Sequence, residues 1–222
     1  MKPNFQAVLI ILLVITGPFG YAVNEILTLN AWYDLEPLIL EEEEYPETPE
    51  SIHRKLLEEA RILFSAMIYG FSFTYTPSDN KRGVEELFIL SLNAEIQWGD
   101  PNLKVISSEI RDNRLYCKII YSLTDAQNLR RISWNSNVIP TAGGEGGADY
   151  FQGYVSKMES IKAAIREAIR NYVRLRVFNK PKEIAGEILL LEEPYTIIQS
   201  GQYVSSVKIK LLLKEIEAYT IF

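Results

Sequence analysis

Lys162, Arg166, Arg170 and Arg174 recur at every fourth residue, so on a helix they align as one ridge of four cations. A ridge of that kind suits electrostatic docking of something anionic: the chain's own acidic segment, an acidic protein, or phosphate-bearing envelope material. The plainer account is a solvated face lying opposite an apolar stripe, with Glu159 and Glu167 interrupting the positive field. Nucleic acid is not an expected partner, because the charge of the folded body is too small.

Other residue types that could do chemistry lack the company they need. His53 is the only histidine. It stands beside Arg54 and Lys55 with no cysteine or carboxylate at ligand spacing, and no G-x-S-x-G elbow accompanies it. An exposed helix residue accounts for it. The run Gly143-Gly144-Glu145-Gly146-Gly147 has no following Lys-Ser or Lys-Thr, so Thr141 to Ala148 reads as a flexible loop and not as a phosphate cradle. Cys117, the single cysteine, excludes an intrachain disulfide and sits in an apolar alternation where a buried inert thiol is expected. Glu41 to Glu44 are consecutive and lack the alternating ligand spacing of a calcium loop, while Glu85-Glu86 and Glu192-Glu193 resemble pairs that blunt strand edges. The expectation is no catalytic residue, no cofactor and no metal.

The elements that must position these residues follow three regimes. Residues 1–22 have the layout of a secretory signal peptide: Lys2, an apolar run, then Gly17-Pro18 and small residues at Gly20 and Ala22. The apolar core from Val8 to Thr16 is about half of the roughly 20 residues that cross a bilayer. Cleavage is expected after Ala22, with no lipid anchor and no remaining transmembrane span, which places the mature chain in the periplasm or outside the cell. Residues 23–50 form an acidic, amphiphilic arm and linker with nine carboxylates and no Lys or Arg. The rest, 51–222, holds 22 basic and 20 acidic residues, a formal charge of +2, so the acidity of the chain belongs to the arm. The arm's first part is apolar enough to pack on something, and it could dock intramolecularly on the ridge.

Residues 51–222 read as a single α+β domain. A content of 47% hydrophobic and 11% aromatic residues supports one sizeable core. Thr48, Pro49 and Glu50 start a first helix whose apolar row is Ile52, Leu56, Ala60, Leu63 and Met67, and Gly70 ends it. Strands are expected at Phe71 to Thr76, Leu87 to Trp98, Leu103 to Ile110 and Leu115 to Leu123, with a hairpin at Asp112-Asn113. Thr124 and Gln127 have capping-box spacing ahead of a short helix carrying Leu129, Ile132 and Trp134. A second long helix, about Tyr150 to Val177, presents Tyr154, Met158, Ile161, Ile165, Ile169 and Tyr172 on one face. Strands at Glu183 to Leu191 and Tyr203 to Ile216 close the pattern. The predicted fold is an antiparallel sheet of about five to six strands with two long helices packed on one face. A closing aromatic, Phe222, resembles the end of an outer-membrane strand, but the alternate residues Thr220, Ala218, Ile216 and Lys214 are too polar for a lipid face.

The segments Ile68-Tyr69-Gly70-Phe71-Ser72-Phe73, Trp98-Gly99-Asp100-Pro101 and Asn179-Lys180-Pro181-Lys182-Glu183-Ile184 resemble those of uncharacterised exported proteins of spirochaete type. The resemblance implies an envelope location and no known activity. Taken together, the expected function is non-catalytic binding or structural support, with an anionic partner on the ridge Lys162, Arg166, Arg170 and Arg174. Two other classes make contrasting demands. A carrier of an apolar ligand needs a large dry pocket between sheet and helices. An enzyme using carboxylates needs acidic groups converging in a cleft with raised pKa values.

Overall fold

A computed structural model describes residues 25–36 and 48–219. The signal-peptide segment 1–22 with its cleavage point after Ala22, the Glu41 to Glu44 run and the terminal Phe222 lie outside the described residues.

The described chain is α+β, with three α-helices and two antiparallel sheets. In order its elements are β1 (Ile26–Asp34), α1 (Pro49–Ile68), β2 (Phe71–Thr76), β3 (Leu87–Leu92), β4 (Leu103–Arg111), β5 (Arg114–Ser122), α2 (Asp125–Trp134), β6 (Thr141–Asp149), α3 (Val155–Arg174), β7 (Pro181–Leu190), β8 (Tyr195–Gln199) and β9 (Gln202–Ala218). The smaller sheet has the order β1-β5-β4. The larger runs β3-β2-β7-β9-β6, and β8 pairs with the first part of β9.

Helix α1 starts where its capping chemistry dictates, with the Thr48 hydroxyl accepting from the Ser51 amide at 3.2 Å and Pro49 in the first turn. Its apolar row, Ile52, Leu56, Ala60, Leu63 and Met67, is buried throughout. Gly70 then takes φ +75°, and a Cβ there would lie 2.2 Å from the Ile188 carbonyl oxygen, so both the turn and the close strand require glycine. The capping box of Thr124 and Gln127 likewise starts α2. Only Trp134 of that helix is buried; Leu129 and Ile132 face solvent. Asp112 and Asn113, both at positive φ, make the tight hairpin between β4 and β5.

Four expectations are revised. The glycine-rich stretch is no flexible loop: Thr141 to Asp149 form β6, paired with β9 along its whole length. The helix expected from Tyr150 opens as a 3-10 turn, breaks at Gly153 (φ 83°) and becomes α3 at Val155, ending at Arg174. The strand expected to reach Trp98 stops at Leu92. The turn region after Pro194 holds a further strand, β8, joined to β9 by Ser200 and Gly201 at positive φ. The apolar part of the acidic arm is β1, whose Leu27, Leu29, Ala31 and Tyr33 point into the core against β5.

One core joins the layers. Ile161, Ala164, Ile165, Ala168 and Ile169 of α3 cover β6 and β9, and α1 touches β7 as well as β1 and β5, so it is shared by both sheets. The glycines of β6 explain how α3 comes so near. A Cβ at Gly144 would sit 2.3 Å from the Ala168 nitrogen, and one at Gly146 would sit 2.3 Å from the Ala164 nitrogen. Small residues on strand and helix thus let main chain meet main chain. Gly144→Ala is expected to lower stability by about 3 kcal/mol through overpacking, whereas Gly143→Ala, with its nearest neighbour at 3.5 Å, should cost well under that. Urea unfolding of the two variants checks this; equal costs would refute the close-packing account.

Candidate functional site

Strand β1 lies at an edge of the smaller sheet, and its even-numbered residues turn their backbone groups away from β5. Unpaired edge groups that are taken from water need partners. Here side chains supply them. The Asn30 amide donates to Glu193 Oε1 at 2.8 Å, and the Asn30 side chain donates to Glu193 Oε2 at 3.3 Å. The Trp32 carbonyl accepts from Lys157 Nζ at 3.0 Å.

Lys157 lies on the buried face of α3 and is only 2% exposed, so its charge must be balanced. Glu59 of α1, 5% exposed, does so at 2.8 Å from Nζ. Tyr154 donates to the same carboxylate, and burial followed by the Glu59 charge pushes the Tyr154 hydroxyl well above the usual phenol range. The ammonium also stands 4.5 Å from the centre of the Trp32 ring. Aromatic contacts extend the junction: Tyr33 with Tyr154 at 4.9 Å, Trp32 with Tyr203 at 6.0 Å and Tyr150 with Tyr203 at 5.2 Å. Tyr150 further donates to Asp34 at 3.1 Å.

Above this junction opens a cleft of about 770 Å³. One wall is the outer face of the smaller sheet, carrying Trp32, Glu109, Arg111, Arg114, Tyr116 and Lys118; the other is Glu193 to Ile198. Arg111 lies 4.9 Å from the Tyr116 ring centre and Arg114 lies 4.7 Å from that of Trp32. Their carboxylate contacts are long, 4.0 Å from Arg111 to Glu109 and 3.9 Å from Arg114 to Asp34. The guanidinium groups therefore lie over aromatic rings with donors to spare, an arrangement that can accept an anionic ligand group. Among the described residues no cluster of three or more His, Cys, Asp or Glu could hold a metal ion, and no helix is long and apolar enough to cross a membrane.

The ridge on α3 is differently placed. Lys162 pairs with Glu159 at 3.7 Å, Arg166 with Glu86 at 3.1 Å and Arg170 with Glu167 at 3.4 Å. Arg170 and Arg174 border a smaller hollow of about 280 Å³ floored by Val173, Val177 and Ile184. The ridge and the cleft are separate surfaces with no lining residue in common. Of the glutamate pairs, Glu86 accepts from Tyr75 at 2.8 Å and Glu193 closes β1, so one member of each is hydrogen-bonded to another element. His53 is half-buried: Nδ1 donates to the Pro49 carbonyl at 2.6 Å, which leaves Nε2 3.4 Å from Ser108 Oγ. Cys117 is buried.

Two consequences can be measured. Lys157→Met strands the Glu59 charge in the core and should cost about 3–5 kcal/mol, most of which Glu59→Leu in the same chain restores. A single variant as stable as the native chain in urea would remove the pair from its bridging role. The Glu193 carboxyl is raised by burial, against the Asn30 hydrogen bonds that favour its ionised form. A raised folded pKa adds stability at pH below the ordinary carboxylate range, and this is lost as pH climbs through the raised value. The melting temperature of the native chain relative to Glu193→Gln should thus fall from acid to neutral pH; a flat difference would contradict the assignment.

Comparison with known proteins locates the chain among relatives. A protein-family model matches residues 18–219. An uncharacterised protein of Treponema pallidum (strain Nichols) is 24% identical over 200 residues, which span 88% of this chain and 83% of that protein. No solved structure matches. With the whole described fold inside the matched region, the chain belongs to an uncharacterised Treponema protein family.

Proposed function

We propose that this is an exported, non-catalytic binding protein of the cell envelope that takes an anionic group of its partner into the cleft between the two sheets. The observation that carries the reading is the pair of ring-stacked arginines, Arg111 and Arg114, with the exposed Lys118 beside them in a cleft of about 770 Å³. Their donors are not consumed by close ion pairs. On the α3 ridge three of four cations already have carboxylates, so docking there competes with existing contacts. Export rests on the layout of residues 1–22.

The two contrasting classes draw less support. Between α3 and β6 the backbones are in contact at Gly144 and Gly146, which leaves no volume there for an apolar ligand. The carboxylate-enzyme reading has one point in its favour, because Glu59 and Glu193 both line the cleft and the Glu193 carboxyl is raised. Their oxygens, however, are engaged by Lys157, Tyr154 and Asn30 in closing the β1 edge.

Binding of a hexaglutamate peptide, followed calorimetrically at low and moderate salt, tests the assignment. The double variant Arg111→Glu/Lys118→Glu should weaken binding by at least roughly tenfold, and the native affinity should fall with salt. Arg166→Glu/Arg170→Glu should leave it nearly unchanged. The reverse ranking would return the site to the ridge, and no binding by the native chain would overturn the proposal.

A further inference from the structure

Strand β4 is the other edge of the smaller sheet, and among the described residues no side chain closes it in the manner of β1. Eight of its nine residues, all but Leu103, are exposed, including Val105 at 40%, Ile106 at 55% and Ile110 at 69%. A long, exposed, unpaired edge with four aliphatic side chains among its nine residues is a template for another strand. The pattern along β4 selects which strand.

The register against β5 slips between Val105 and Ser107. Because of this bulge, Leu103 and Val105 share a face with Ser108 and Ile110, while Lys104 shares the opposite face with Ser107, Glu109 and Arg111. The faces are read from β5, where Leu115, Cys117, Ile119 and Tyr121 are buried and define the inner side. Consider a second copy of β4 laid antiparallel alongside, with a two-fold axis between Ile106 and Ser107. Leu103 then stands opposite Ile110 of the second copy, Val105 opposite Ser108, and Lys104 opposite Glu109. In each of these three opposed pairs the two residues share a face, which a one-residue shift of this register would destroy. Each Lys104 meets a Glu109, twice by symmetry, and each Leu103 meets an Ile110. Within one chain Lys104 makes no ion pair among the described residues, and the contact of Glu109 with Arg111 is the 4.0 Å one.

We propose that two copies of this protein join through β4 into one continuous six-stranded antiparallel sheet, with Lys104–Glu109 ion pairs setting the register. The axis is perpendicular to the sheet, so both outer faces, and with them both clefts, open on the same side. The dimer would present its two clefts as a bivalent surface. The inference does not depend on what the cleft binds.

Sedimentation velocity of the purified chain tests it. The native protein should show a concentration-dependent dimer in the micromolar range, as befits a small interface. Lys104→Glu alone and Glu109→Lys alone each set like charges opposite one another, and each should weaken dimerisation by at least roughly tenfold. The double variant K104E/E109K should recover it. Mixing the two single variants should yield a heterodimer, because every opposed pair is then again of opposite sign. A monomeric native chain, single variants that dimerise like the native protein, or a mixture of single variants that stays monomeric would each overturn the proposal. Recovery in the double variant and in the mixture also shows that the single variants had folded.

Discussion

The structure depends on a strand that, among the described residues, no other strand pairs with on one side. β1 places Leu27, Leu29, Ala31 and Tyr33 on the smaller sheet's apolar face, yet its outward backbone groups face the seam between the two sheets, exposed at Asn30 and buried around Lys157 and Glu59. A buried lysine answers the Trp32 carbonyl, a buried glutamate answers the lysine, and a second glutamate answers the Asn30 amide. Because Glu59 comes from α1 and Lys157 from α3, the same contacts that satisfy the strand also fix both long helices relative to it. Buried charge of this kind is a costly way to gain stability. Here it has a geometric purpose, since an apolar pair could not hydrogen-bond to the strand's carbonyl.

Much of the fold was legible in the sequence, and the places where reading failed have physical causes. Thr48-Pro49, Thr124 with Gln127, and Asp112-Asn113 each carry a local signal strong enough to set an end or a turn, and the structure has those ends and that turn. The alternation Leu27, Leu29, Ala31 and Tyr33 is as regular as that of any strand, but reading it together with the glutamates that follow made a strand look like an arm. The glycines of β6 were misread because glycine is a loop residue by propensity and a strand residue only when another backbone must come close. That need arises from α3 and is invisible locally. The site was less legible still. Lys157 continues the row Ile161, Ile165 and Ile169, and Glu59 falls within the apolar stripe of α1, so a charge on each buried face was the available clue. The ring-stacked arginines depend on neighbours across strands and had no sequence signal of their own.

The two basic surfaces show how pairing, more than count, decides what a cation can do. The ridge on α3 has regular spacing, but carboxylates from its own helix and from Glu86 stand at most of its positions. In the cleft, Arg111 and Arg114 lie over tyrosine and tryptophan rings, contacts that leave their donors unsatisfied. Fewer charges in a fixed arrangement make the better receptor, because less freedom is lost when a ligand arrives.

The closure of β1 also dictates the order in which the molecule can be completed. Asn30 and Trp32 lie 163 and 125 residues before the side chains that seal them. A chain that emerges from a ribosome or a membrane pore N-terminus first presents β1 early and must keep its open edge waiting until β7 has passed. Until then that strand is an uncovered surface on which a chaperone can hold the chain, and the arrival of Glu193 ends the interval.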